Sequence, residues 1–184
     1  MLTMQPKQAI EVYNAKDGRS FVIRAPHSGD VEELMNFINE LVDEEAPIST
    51  NERQTYASEI RYLADEMQKI LDGRLIALVA TAGDKIVAHA EIRRGSGRSS
   101  HVGTLGISVL KEFRNLGLGQ ELIRLLIKLA KSQGFRLIKL EVFANNMPAI
   151  HLYKKLGFVQ TGFVPNMYYY KEGYVDALIM CLKL

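Results

Sequence analysis

The sequence predicts an α+β fold in which helices cover the faces of a mixed β-sheet. Three observations carry this expectation: strand-like runs come in pairs at both ends of the chain, two amphipathic helical runs follow the first pair, and one strand–helix–strand crossover occupies the second half. No repeat, linker or low-complexity segment interrupts the 184 residues. A single domain over 1–184 is therefore expected, opened by a hairpin at 9–24.

Ile10 to Tyr13 and Phe21 to Arg24 alternate apolar and polar residues on either side of Asn14 to Arg19, where Asp17-Gly18 is a strong hairpin signal. Asp30 with Glu33 has the form of a capping box, and Val31, Leu34, Ile38 and Leu41 repeat at helical spacing. These predict a helix that ends near Glu45, before Pro47. Ser49 with Glu52 predicts a second capped helix through Tyr56, Ile60, Leu63, Met67 and Ile70, stopped by Asp72-Gly73. Leu75 to Thr81 and Ile86 to Arg93 read as strands joined by Ala82-Gly83-Asp84-Lys85. After the loop Gly95 to Arg98, a strand begins near Ser99 and carries Leu105 to Leu110.

From Gly117 to Gln133, Leu118, Leu122, Leu125, Leu126 and Leu129 mark one helical face, leaving Glu121, Arg124, Lys128 and Lys131 to solvent. Leu137 to Val142 reads as a strand. Asn145-Asn146-Met147-Pro148 then opens a short helix that ends at Gly157, and strands near Phe158–Met167 and Tyr174–Leu182 finish the chain.

Composition excludes several classes of function. With 47% hydrophobic residues and five prolines, the chain can bury an ordinary core. Its 23 basic and 21 acidic residues give a formal charge of +2, too balanced for a protein that holds nucleic acid through a dense basic face. The one cysteine, Cys181, has no intramolecular partner, which fits a reducing compartment. No apolar run reaches the ~18–20 residues that span a bilayer, and Met1 to Gln8 lacks the apolar stretch of a secretory leader, so the protein is expected in the cytoplasm, with no membrane partner.

The most informative stretch is the strand Leu105 to Leu110, its loop Lys111-Glu112-Phe113-Arg114-Asn115-Leu116, and Gly117-Leu118-Gly119-Gln120 opening the long helix. Glycines at 117 and 119 let successive backbone N–H groups converge on an anion while the helix aims its positive dipole end at the same point. This is a phosphate cradle. It is not a P-loop, because no Gly-Lys-Ser/Thr follows, nor a Rossmann turn, because the sheet is not a βαβ series.

The order of elements and two motifs within it resemble the GCN5-related N-acetyltransferase (GNAT) superfamily over nearly the whole chain. Val109 to Gly119, with its Arg114-x-x-Gly117-x-Gly119 ending, is similar to that family's acetyl-coenzyme A signature. Asn146-x-x-Ala149-x-x-Leu152-Tyr153 with Leu156-Gly157-Phe158 matches its second motif. The resemblance implies a mostly antiparallel, twisted sheet and a co-substrate, acetyl-coenzyme A, with no metal. It places the coenzyme pyrophosphate on the turn Arg114, Asn115, Leu116, Gly117, Leu118, Gly119 and Gln120, the pantetheine arm along Ile107, Ser108 and Val109, and further contacts at Asn146 and Tyr153. The Val109 amide becomes the oxyanion donor and Tyr153 the acid at the departing thiolate.

The acceptor amine must lose a proton before it attacks. Some relatives use a Glu on the pivotal strand where this chain has Gly103 and Thr104, so His101, Glu91 and Glu141 are the candidates for that proton, directly or through water. Asp43, Glu44 and Glu45 could attract a cationic amine or merely solvate a helix end. Tyr168-Tyr169-Tyr170 before a Lys-Glu-Gly turn could line a groove. The implied activity is transfer of acetyl to a primary amine of a small molecule: a polyamine, an amino acid or a related amine. A protein N-terminal acetyltransferase of the ribosomal-protein alanine type and a non-catalytic acetyl-coenzyme A-binding module are the alternatives. A homodimer through the last strands is a further expectation.

Overall fold

The computed structural model describes residues 9–184, so the reading of Met1 to Gln8 lies outside the described residues. Eight strands form one sheet: β1 (Glu11–Asn14), β2 (Ser20–Arg24), β3 (Leu75–Ala82), β4 (Lys85–Arg94), β5 (Val102–Val109), β6 (Leu137–Phe143), β7 (Val159–Tyr170) and β8 (Gly173–Lys183). Their spatial order is β1-β2-β3-β4-β5-β6-β8-β7. Every neighbouring pair is antiparallel except β5 and β6, which the crossover makes parallel.

Four α-helices cover the sheet: α1 (Val31–Asp43), α2 (Tyr56–Leu71), α3 (Leu118–Ser132) and α4 (Met147–Lys155). β3 reads Leu-Ile-Ala-Leu-Val-Ala-Thr-Ala and is buried along nearly its whole length, as a central strand covered on both faces must be. α3 buries Leu118, Leu122, Ile123, Leu125, Leu126 and Ala130. Each large apolar side chain so removed from water contributes about 1.5–3 kcal/mol. None of the described helices is long and apolar enough to cross a membrane.

Both predicted capping boxes are displaced. Ahead of α1, His27 is the cap of a single 3-10 turn: its Nδ1 accepts from Gly29 N–H at 3.0 Å, and Asp30 returns the bond to His27 N–H at 2.9 Å. The Asp30 carboxylate cannot also cap toward Glu33, because it takes both terminal nitrogens of Arg24, at 2.7 and 2.8 Å. The second helix starts at Tyr56, where Thr55 and Ser58 form the box, rather than at Ser49. Asn39 of α1 explains this: its side chain accepts from Gln54 N–H at 2.6 Å and donates to Gln54 O at 3.0 Å, holding the preceding residues as a loop.

At the far end, β7 continues through all three tyrosines, beyond the predicted end at Met167. The turn is Lys171-Glu172, with φ of 49° and 62°, the two left-handed residues of a tight hairpin. Tyr168 and Tyr170 share one side, both against Phe143, while Tyr169 is exposed beside Tyr174.

Gly103 shows why the pivotal strand has no side chain there. A Cβ on it would lie 2.5 Å from Ile92 Cγ2 and 3.0 Å from Phe135 Cδ1. Gly103→Ala is expected to destabilise the fold by about 1–3 kcal/mol, read as a lowered urea midpoint at unchanged slope. An unchanged midpoint would mean that Ile92 and Phe135 repack freely.

Candidate active site

β5 and β6 pair only through Val102–Thr104 and Leu137–Lys139, then part. Ladder geometry decides which backbone groups this leaves open. Leu110 N–H bonds Val87 O at 3.0 Å, which makes Val109, opposite Ala88, a non-hydrogen-bonded position whose own N–H and C=O face away from β4. By the same alternation Leu105 and Ile107 also face the gap. A strand edge lies exposed along the wall of a cleft of about 640 Å³ that runs between β5, β6, α4 and the start of α3.

At the head of that cleft, Asn115 at φ 62° and Gly117 at φ 85° turn the chain into α3. Gly117 is the N-cap and offers no side-chain acceptor, so the first N–H groups of the helix are left for an anion. The glycine is required here, since a Cβ on it would stand 2.3 Å from Tyr13 Oη. Tyr13 in turn donates to Leu116 O at 2.8 Å, bracing the turn from the opening hairpin. At Gly119 a Cβ would make only ordinary contacts, 3.8 Å from both Ile107 Cδ1 and Val109 Cγ2, so packing of α3 on the strand does not by itself demand a glycine there. Leu118 points into the core, so only its backbone can serve the cleft.

Asn146 caps α4, its Oδ1 accepting from Ala149 N–H at 3.4 Å, and both Asn146 and Tyr153 line the cleft. The Tyr153 ring is 7% exposed and meets Phe158 edge-on at 5.8 Å. Burial pushes the phenol up to about 12, so it stays protonated and able to donate at neutral pH. Glu141, exposed on β6, lines the same cleft together with Tyr168, which stacks on Phe143 at 3.8 Å.

One expectation, His101 as a base, is corrected, and Arg114 and the acids at the end of α1 are found engaged by other groups. His101 precedes β5 at its distant end, where its carbonyl accepts from Arg136 N–H at 2.8 Å. Eight residues at ~3.3 Å each put it about 25 Å from Val109, too far to act as a base. Arg114 lines the cleft, but its guanidinium is already engaged, donating to Val109 O at 2.8 Å and Glu44 Oε2 at 2.5 Å. An anion at the turn therefore meets backbone amides first. The acids after α1 do not form an amine trap: Asp43 pairs with Arg53, Glu44 with Arg114 and Lys111 N–H, and Glu45 with Lys171.

Local reading missed Tyr13 and Phe143 as parts of this site and did not see Glu44 as a brace on its turn, because their partners lie far away in sequence. Glu44 tests the bracing: Glu44→Ala is expected to weaken cofactor binding by about three- to thirtyfold through a loosened turn, since a hydrogen-bonded, half-buried ion pair is worth a few kcal/mol at most. Calorimetry reads this directly, and unchanged affinity would leave Glu44 a purely structural role.

Residues 36–158 match the family model described as "Acetyltransferase (GNAT) family". The chain belongs to the GNAT acetyltransferase family. Among individual proteins, it is 33% identical over 111 residues to the [ribosomal protein bS18]-alanine N-acetyltransferase of Salmonella typhimurium, covering 60% of this chain and 73% of that one. It is 37% identical over 107 residues to the L-amino acid N-acetyltransferase AaaT of Escherichia coli, covering 56% and 65%. The crystal structure of a GNAT acetyltransferase from Streptococcus pneumoniae superposes with a TM-score of 0.80 at 28% identity, over 89% of this chain and 99% of that one. The mostly antiparallel sheet with one parallel pair is the GNAT fold that the motifs implied.

Proposed function

We propose that this GNAT protein moves the acetyl group of acetyl-coenzyme A directly to a primary amine of a small molecule, a polyamine, an amino acid or a related amine. The observation that carries the reading is the open edge of β5 beside an uncapped helix start: Ile107 and Val109 offer backbone groups to an extended arm, and the 115–120 turn offers N–H groups to phosphates. The residues present fit such a ligand.

In this reading Val109 N–H faces the gap and holds the carbonyl oxygen as it gains charge. Tyr153 gives its proton to the sulfur as the carbon–sulfur bond breaks, and Asn146 helps orient the arm. Glu141, the remaining cleft carboxylate, takes the proton of the amine, directly or through water. Glu141→Gln is expected to lower kcat by one to two decades with acetyl-coenzyme A affinity nearly intact. Unchanged kcat would assign the proton to Glu91 or to water.

The second reading is an N-terminal protein acetyltransferase, favoured by the likeness to the bS18-alanine enzyme. Thiol release from acetyl-coenzyme A, measured with polyamines, free amino acids and peptides beginning with alanine, separates the two. No thiol release with any of these acceptors would leave a binding module.

A further inference from the structure

A second cavity, of about 430 Å³, lies on the other side of β5, between the sheet and the helices α1 and α2. It shares Ile48, Ser49, Gly106, Ile107 and Ser108 with the first cleft, so the two hollows meet across one stretch of strand. The partition is thin at Gly106: its ladder partner is Glu91, and a Cβ at 106 would stand 3.7 Å from Glu91 Oε1.

The walls of this cavity are ionic and do not balance. His89 Nε2 meets Glu66 Oε1 at 2.8 Å, and Arg93 Nη2 meets Glu91 Oε1 at 2.5 Å. Lys69, another cation near Glu91, is bound to Asp65. Glu59 of α2 lines the cavity while only 6% exposed, and its carboxyl makes no hydrogen bond or ion pair among the described residues. The second oxygens of Glu66 and Glu91 are buried without partners. Burial, reinforced by Glu66 and opposed by His89, holds the Glu59 carboxyl above its ordinary range. A carboxyl so placed is largely desolvated with only the His89 charge to offset the cost, and a cationic ligand would offset more of it.

We propose that this cavity seats a second cationic group of the acceptor, with Glu59 as its counter-ion and Glu91 beside it. The preferred acceptor is then a primary amine that carries another positive charge on the same molecule. The proposal rests on the acetyl-transfer reading for what the occupant's other end does. A diamine and a short peptide with a basic side chain share this chemistry.

Isothermal titration of the whole protein in the presence of coenzyme A tests it with paired probes. 1,5-Diaminopentane against pentylamine isolates the second charge in a small molecule, and Ala-Lys amide against Ala-norleucine amide isolates it in a peptide. In at least one pair the dication binds about tenfold or more tighter, and Glu59→Gln brings that ratio to about one. Equal affinities in both pairs, no binding by either dication, or a ratio that Glu59→Gln leaves in place overturns the proposal. The melting temperature checks that the variant folds; if it does not, loss of the wild-type ratio in ~0.5 M salt replaces it, and persistence of the ratio there overturns the proposal. A charge-dependent ratio without thiol release from any acceptor leaves the cation site standing and removes the acetyl-transfer reading.

Discussion

Gly117→Glu is expected to weaken acetyl-coenzyme A binding at least a hundredfold. Three effects act in the same direction. The backbone at 117 has φ 85°, where an L side chain costs about 1–2 kcal/mol. The new Cβ would overlap Tyr13 Oη, 2.3 Å away, and so break the 2.8 Å bond from Tyr13 to Leu116 O that braces the turn. The added carboxylate would then face the N–H groups that the coenzyme's phosphates need, replacing the ligand at its own site. A control separates strain from charge: Gly117→Ala keeps the first two effects only, and adding Tyr13→Phe should recover part of its lost stability by removing the overlapping oxygen. Calorimetric Kd values that do not move in Gly117→Glu would take the turn out of the cofactor site.

Tyr153→Phe is expected to lower kcat by one to several decades while the acetyl-coenzyme A Kd changes less than about threefold. The ring's packing against Phe158 survives the substitution, so the variant removes only an oxygen that lines the cleft. A thiolate leaving from a tetrahedral carbon needs a proton or a hydrogen bond, and a phenol held at about 12 is protonated at every working pH. Tyr153 therefore adds no titration of its own near neutrality. Equal losses in kcat and cofactor affinity would make Tyr153 a packing residue rather than a proton donor.

The parts of the fold that depend on neighbours in sequence were legible. The glycine turn, the apolar stripe of α3 and the Asn146 cap each depend on residues within one or two turns, and the paired motifs pointed to a family whose sheet order the structure reproduces. Where a distant group competes, local reading misplaced the feature. Arg24 takes the Asp30 carboxylate, and Asn39 keeps Gln54 out of a helix that Ser49 and Glu52 would otherwise begin. The site shows the same limit. The Glu44–Arg114 pair spans 70 positions, so an acid that looked free at a helix end proved to be a strut, and an arginine that looked ready for phosphate proved to be occupied. The parting of β5 from β6 leaves no mark in either strand's own sequence, because it is a matter of register.

The bond from Tyr13 to Leu116 bears on how the protein can be subdivided. The matched family segment begins at residue 36, whereas Tyr13 lies on β1 and reaches the cofactor turn across 103 positions. A fragment trimmed to the family segment would keep both signature motifs and still lack the outermost hairpin that sets the turn's shape. Such a shortened chain would look complete by its motifs yet bind its ligand poorly, and restoring the hairpin at its start together with β7 and β8 at its end, not repairing the glycines, would be the remedy.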